Sequence, residues 1–288
     1  MSVKFFGQFL LESGEVDPGH LREAIRLMNR TNKRLGTLAV EAGMVSEADT
    51  MRVNKAQLRT DRPFGELAVE LGVLQADQLE ELVRLQETRR LRVGQALVQL
   101  GHLSEDRLGP LLDGFKADQA PYQSSGRDLP AGLSSSRLAG VVIDLLPRFC
   151  MRVAQIRVKI APNDPEATAT THGIAVGISV RGGHALDIVL AADREFAELL
   201  AAGISGGEPA DLDDELVIDG VGEFLNVLAG NAVAVLEREG FEAELEPPRP
   251  VELPIDGHRF QLVATSGQAD LILSRSRSQS QSQSPRSD

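Results

Sequence analysis

The sequence predicts two domains of different class: an all-α array of helical repeats, then an α+β domain with an antiparallel sheet and long helices. Three observations carry this. Gly7, Gly36, Gly65 and Gly94 recur every 29 residues, and Gly14, Gly43, Gly72 and Gly101 keep the same interval, which marks four repeat units. Over 117–136 the periodicity lapses and Pro, Gly and Ser accumulate, as in a linker. Beyond it, two alternating segments flank Gly182-Gly183, a hairpin pattern, and helical and strand-like stretches follow. The expected divisions are a repeat domain over 1–116, a linker over 117–136, an α+β domain over 137–273 and a disordered Ser/Arg/Gln tail over 274–288.

Within one repeat, a short apolar segment follows the first glycine and the second glycine closes it, where a left-handed residue ends a helix. A helix-starting signal comes next. It is Asp17 with Pro18 in unit one, Ser46 with Asp49 in unit two, and Ser104 before Glu105 and Asp106 in unit four. Each unit is thus a short helix, a turn and a longer helix. One such pair cannot bury its apolar face alone, so the units must pack together.

In the second half, Arg137 to Phe149 reads as a helix stopped near Pro147. Residues 152–160 fit a strand or a helix end. Gly173 to Val180 and Ala185 to Leu190 read as hairpin strands, and Asp193 to Ala202 as a helix capped by Asp193. A loop over Gly203 to Pro209 precedes a long helix from Leu212 to Glu239, ended by Gly240. Strands are expected at 241–245, 260–264 and 270–273.

Of the formal net charge of −12, residues 1–116 carry −1 and residues 137–273 carry −12. Such an acidic domain repels nucleic acid and anionic membrane, so no nucleic-acid polymer is expected as a partner. No apolar run of 18 or more residues is present, which predicts no membrane insertion. A single cysteine, Cys150, fits a reducing, cytoplasmic setting and a buried apolar role. The five histidines show no metal-ligand spacing, and no metal site is expected.

The polar residues Asp219, Glu223, Asn226, Gly230 and Asn231 fall on one face of the long helix, opposite Leu225, Leu228, Ala232 and Val235. Two readings fit that spacing. One is a solvated helix face. The other is a site in which the carboxylate binds a cation and the carboxamide holds a water through its donor and acceptor. Basic clusters where the repeats meet (Arg30, Lys33 and Arg34; Arg52, Lys55, Arg59 and Arg62; Arg89, Arg90 and Arg92) likewise read as solvated helix ends or as anion contacts.

Asp219-x3-Glu223-x2-Asn226, with Gly230-Asn231 downstream, resembles the signature of the CheC/CheX/FliY chemotaxis phosphatases, and its single occurrence resembles CheX. The resemblance implies a phosphatase for a phosphorylated CheY-type response regulator. Asn226 would orient a water at the aspartyl phosphate and Glu223 would contact the regulator's Lys or metal surroundings. Asp219 and Asn231 would be accessory, with Asp219 alternatively serving only the helix N-terminal turn. The regulator would supply Mg²⁺, this chain would bind no cofactor for the reaction, and CheX resemblance implies a homodimer.

Arg34-Leu35-Gly36, Gly43 and Gln57 resemble the N-terminal (MshE-type) motif of type II secretion and pilus ATPases. That family binds cyclic di-GMP, and the resemblance puts the ligand on Arg34, Leu35, Gly36, Gln57, Gly65 and Gln86. No unit is complete: Thr50 and Asn54 replace two leucines, and Pro63-Phe64 replaces Arg-Leu. The combined expectation is a phosphatase coupled to a regulatory or docking domain. The alternative is a non-enzymatic scaffold or cyclic di-GMP adaptor that uses the CheX-like fold to dimerise.

Overall fold

The computed structural model describes residues 3–122, 129–161, 172–205, 209 and 212–275. The chain forms two compact units, Met1–Ser124 and Ser125–Asp288. Part of the expected linker (123–128), part of the expected loop (206–208) and nearly all of the expected tail (276–288) lie outside the described residues.

The N-terminal unit is helical among the described residues. Seven-residue helices α1 (Phe6–Glu12), α3 (Leu35–Glu41), α5 (Phe64–Glu70) and α7 (Val93–Gln99) alternate with longer ones, α2 (Pro18–Thr31), α4 (Glu47–Gln57), α6 (Ala76–Arg89) and α8 (Glu105–Gln119). Gly14, Gly43, Gly72 and Gly101 hold φ between +67° and +76°, where a side chain is strained. Around each, a backbone N–H reaches back to the preceding short helix, as in Glu15 N–H to Leu10 O at 3.0 Å and Met44 N–H to Ala39 O at 2.9 Å, and so satisfies carbonyls at the helix end. Asp17 and Ser46 cap as expected: Asp17 Oδ1 accepts from His20 N–H at 2.9 Å, and Ser46 and Asp49 exchange bonds. Ser104 makes no such side-chain bond.

The pairing of these helices is not the order of the chain. Leu10, Val16, Leu21 and Ala24 share a core with Ala96, Leu97 and Leu103. Leu38, Ala39 and Val53 share another with Leu67, Ala68, Leu74 and Leu82. The first helix pair therefore buries its apolar face on the fourth, and the second on the third. Asn32, at the end of α2, holds the connection between α6 and α7: its amide donates to Leu91 O and its carbonyl accepts from Leu91 N–H, both at 2.8 Å. The expected linker begins as helix. α8 runs to Gln119 and a 3₁₀ turn covers Ala120–Tyr122, because Gln119 is buried and its Oε1 accepts from Lys4 N–H at 3.0 Å.

The C-terminal unit is α+β. Its order is α9 (Arg137–Ala154), β1 (Val158–Ile160), β2 (Ile174–Gly182), β3 (Leu186–Ala192), α10 (Arg194–Ser205), α11 (Asp214–Arg238), β4 (Ala243–Leu245), β5 (Arg249–Pro250), β6 (His258–Ala264) and β7 (Ala269–Ser274). All strand pairs are antiparallel, in the order β1-β6-β7-β3-β2-β4, with β5 also on β2. Val176, Ile178, Val180, Leu186, Ile188 and Leu190 alternate inward and meet the buried faces of the helices. Val189, Ala191 and Ile272 on the reverse face pack under Val251, Leu253 and Ile255.

One expectation fails here. The helix expected to stop near Pro147 continues to Ala154. Leu145, Leu146, Phe149, Cys150 and Val153 are all buried around the proline, and that packing outweighs the one missing N–H donor. Cys150 is fully buried, and desolvation pushes its thiol well above the usual range, which leaves it inert.

Candidate functional site

Helix α11 is positioned from both ends and from one side. Asp213 caps it, accepting from Leu216 N–H at 2.9 Å, and Asp214 and Glu215 favour the positive end of the helix dipole. Gly240, with φ +89°, ends it, and Phe241 N–H reaches back to Leu236 O at 3.1 Å. Val217, Val221, Phe224, Leu225, Leu228, Ala229 and Ala232 are buried and pack on β2, α9 and α10. The helix is long and apolar enough to cross a membrane by composition, yet half of its apolar window is buried in this fold and its open face carries Asp219, Glu223 and Asn226.

The crossing with α10 requires a glycine. A Cβ on Gly220 would stand 2.4 Å from Ala201 Cβ and 2.5 Å from Ala201 Cα, so the two backbones approach closely. Gly220→Ala is expected to destabilise the chain by about 1–3 kcal/mol through overpacking. Thermal denaturation checks this, and a wild-type melting temperature would contradict the crossing.

On the open face, Asp219, Glu223 and Asn226 are all exposed. The Asn226 amide donates to Glu223 Oε2 at 3.4 Å, a long contact between side chains one turn apart. Among the described residues no other hydrogen bond engages either side chain. The amide oxygen of Asn226 and the second carboxylate oxygen of Glu223 thus belong to exposed side chains and take part in no hydrogen bond among the described residues. A carboxylate and a neutral amide so placed can hold one water between donor and acceptor and can meet a cation.

The remaining expected residues separate. Asp219 stands one turn before Glu223 and is not the helix cap, since the helix begins five residues earlier and Asp213 performs that role. Asn231 is half-buried and donates to Val227 O of its own helix at 2.8 Å, a local back-bond. No signal in the sequence marks Leu216. It lies on the same exposed face, seven residues before Glu223, and is 51% exposed.

In the N-terminal unit the residues singled out for a ligand are engaged internally. Gln57 donates to Arg62 O at 2.9 Å and Gln86 to Lys33 O at 3.0 Å. A Cβ on Gly36 would stand 2.8 Å from Thr50 and one on Gly65 2.4 Å from Leu79, so both glycines receive a side chain of the following helix. Arg34 precedes Leu35 at the start of α3. Among the described residues no three His, Cys, Asp or Glu side chains gather closely enough to hold a metal.

Residues 174–254 match the family model of the chemotaxis phosphatase CheX. That span runs from β2 through β5 and contains all of α11, including Glu223 and Asn226. No curated protein matches the chain. Among solved structures, it is similar to CheX from Desulfovibrio desulfuricans at 14% identity, covering 48% of this chain and 99% of that one with a TM-score of 0.40. CheX from Vibrio vulnificus gives 18% identity, 49% and 100% coverage, and a TM-score of 0.38. A CheX–CheY–BeF₃–Mg²⁺ complex from Borrelia burgdorferi gives 17% identity, 47% and 97% coverage, and 0.36. By its family match, the segment 174–254 is a CheX-family domain.

Proposed function

We propose that the C-terminal unit dephosphorylates a phosphorylated CheY-type response regulator, with Asn226 and Glu223 as the working pair. The observation that carries this is their exposure, side by side, on one face of α11 inside the segment that matches the phosphatase family. An aspartyl phosphate is an acyl phosphate and already reactive, so the main contribution open to a partner is to place a water in line. Asn226 is suited to placing it, because its amide orients the water and carries no charge to repel the phosphate. Glu223 contacts a cationic group of the regulator, which brings the aspartate and its Mg²⁺. Asp219 adds negative potential on the same face. Substoichiometric amounts of this chain should speed phosphate loss from a phosphorylated CheY-type receiver, and Glu223→Ala should slow it about tenfold. No acceleration at any ratio would defeat the proposal.

For the N-terminal helices we infer a regulatory or docking role built on four units of 29 residues. The support is the start of the short helices at 6, 35, 64 and 93 and the four positive-φ glycines at the same interval. Cyclic di-GMP is the ligand that the motif resemblance implies for units two and three, around Arg34, Gly36, Gln57, Gly65 and Gln86. A ligand there competes with the internal bonds of Gln57 and Gln86. Titration calorimetry with cyclic di-GMP decides between the roles. Saturable binding lost in Arg34→Ala supports a sensor, and no heat of binding supports a protein-docking module.

A further inference from the structure

The open face of α11 carries one residue that the chemistry does not use. Leu216 is the most exposed large apolar side chain among the described residues of the C-terminal unit, above Met151 at 43% and Phe241 at 40%. Its place is not a frayed end. Asp213 accepts from Leu216 N–H, Arg194 of α10 pairs with Asp214, and the same guanidinium donates to Leu212 O at 3.3 Å and to Glu198 at 2.5 Å. The backbone of the first turn, which carries Leu216, is thus braced by the cap and by Arg194.

Spacing puts Leu216 in line with the site. Positions 216, 219, 223 and 226 advance by three, four and three residues and share one helix face. At 1.5 Å per residue, Leu216 lies about 10 Å from Glu223 and about 15 Å from Asn226 along the axis. A standard protein interface covers about 800 Å² on each partner, a patch of roughly 16 Å radius. A protein whose reacting centre sits on Asn226 therefore reaches Leu216 with an ordinary footprint. Asp214 is compensated by Arg194, but the flanking exposed Glu215, Asp219 and Glu223 give that footprint an acidic surround, which selects a partner with an apolar pocket rimmed by basic side chains.

We propose that Leu216 is a docking residue that seats the phosphorylated receiver, and that it sets affinity without entering the chemistry. The inference rests on the phosphatase reading of Glu223 and Asn226. It makes the N-terminal turn of α11 the anchor and the middle of the helix the reactive part. The receiver is the occupant because one face carries both features, and the acidic surround opposes a second copy of the same face by like charge.

The test is steady-state dephosphorylation of a phosphorylated CheY-type receiver by the full chain, with wild type, Leu216→Ala, Leu216→Met and Asn226→Ala compared. Leu216→Ala is expected to raise KM about tenfold with kcat unchanged, and Leu216→Met to stay within about twofold of wild type. All should melt as wild type does, since position 216 is exposed. An unchanged KM in Leu216→Ala, alongside lost activity in Asn226→Ala, overturns the docking role and leaves the phosphatase reading standing. A fall in kcat at constant KM also overturns it, by placing Leu216 in the chemistry. A shift of Leu216→Ala from dimer to monomer in sedimentation overturns it in favour of a second copy as the occupant. Equal rates for Asn226→Ala and wild type overturn the phosphatase reading itself, and the inference with it.

Discussion

Asn226→Asp is expected to lose about 100-fold in the rate of receiver dephosphorylation, although the side chain keeps its volume. The amide it replaces is exposed and holds only a 3.4 Å contact to Glu223. In place of that contact stands a second carboxylate one turn away. The new charge repels the phosphate and removes the donor that orients the water, so two requirements of the site fail together. Stability should hardly move, because surface changes away from caps and cores fall within about ±0.5 kcal/mol. The measurement is phosphate loss from a phosphorylated receiver beside a melting curve of the variant. Lost activity with an unchanged melt supports a chemical role for the amide. Retained activity would show that neutrality at 226 is not needed.

Phe224→Ala should produce the largest change in stability, about 3–5 kcal/mol. Phe224 stands between Glu223 and Asn226 in the chain but points the other way, and its side chain is fully buried. Its removal opens a cavity where α11 meets the sheet and the neighbouring helices. The loss is a large share of the roughly 5–15 kcal/mol that holds an ordinary domain together. Urea denaturation followed by circular dichroism should show a lower midpoint. Dephosphorylation should fall only in step with the unfolded fraction, in contrast to Asn226→Asp. An unchanged midpoint would mean that α11 is not seated by this residue.

The contrast between neighbours on one helix also explains what was legible in the sequence. The polar positions 219, 223 and 226 announce a face by their spacing, and the structure exposes all three. Gly240 announces the end of α11, and Gly182-Gly183 the hairpin turn between β2 and β3. These are local signals, set by backbone conformation and period. Features that depend on distant partners were not legible. Pro147 reads as a stop, but the buried residues on both sides of it carry α9 onward. β5 is two residues long and exists through its pairing with Val176 and Gly177, so no alternation reveals it. The packing of the first helix pair on the fourth leaves no trace in the order of the units. Asn231 lies five residues past Asn226, about 140° round the helix, and the structure shows it half-buried with its amide donating to Val227 O. Leu216 is the converse case. An apolar residue on an apolar helix reads as core, and only its solvent exposure separates it from Val217 beside it.

The central claim is that the Glu223 and Asn226 face of α11 removes phosphate from a receiver. Its most direct test is single-turnover release of phosphate from a phosphorylated CheY-type receiver with the wild-type chain, with Asn226→Ala, and with neither. Rapid release is expected with wild type, and release at the receiver's own spontaneous rate with Asn226→Ala. Equal acceleration by wild type and Asn226→Ala would contradict it.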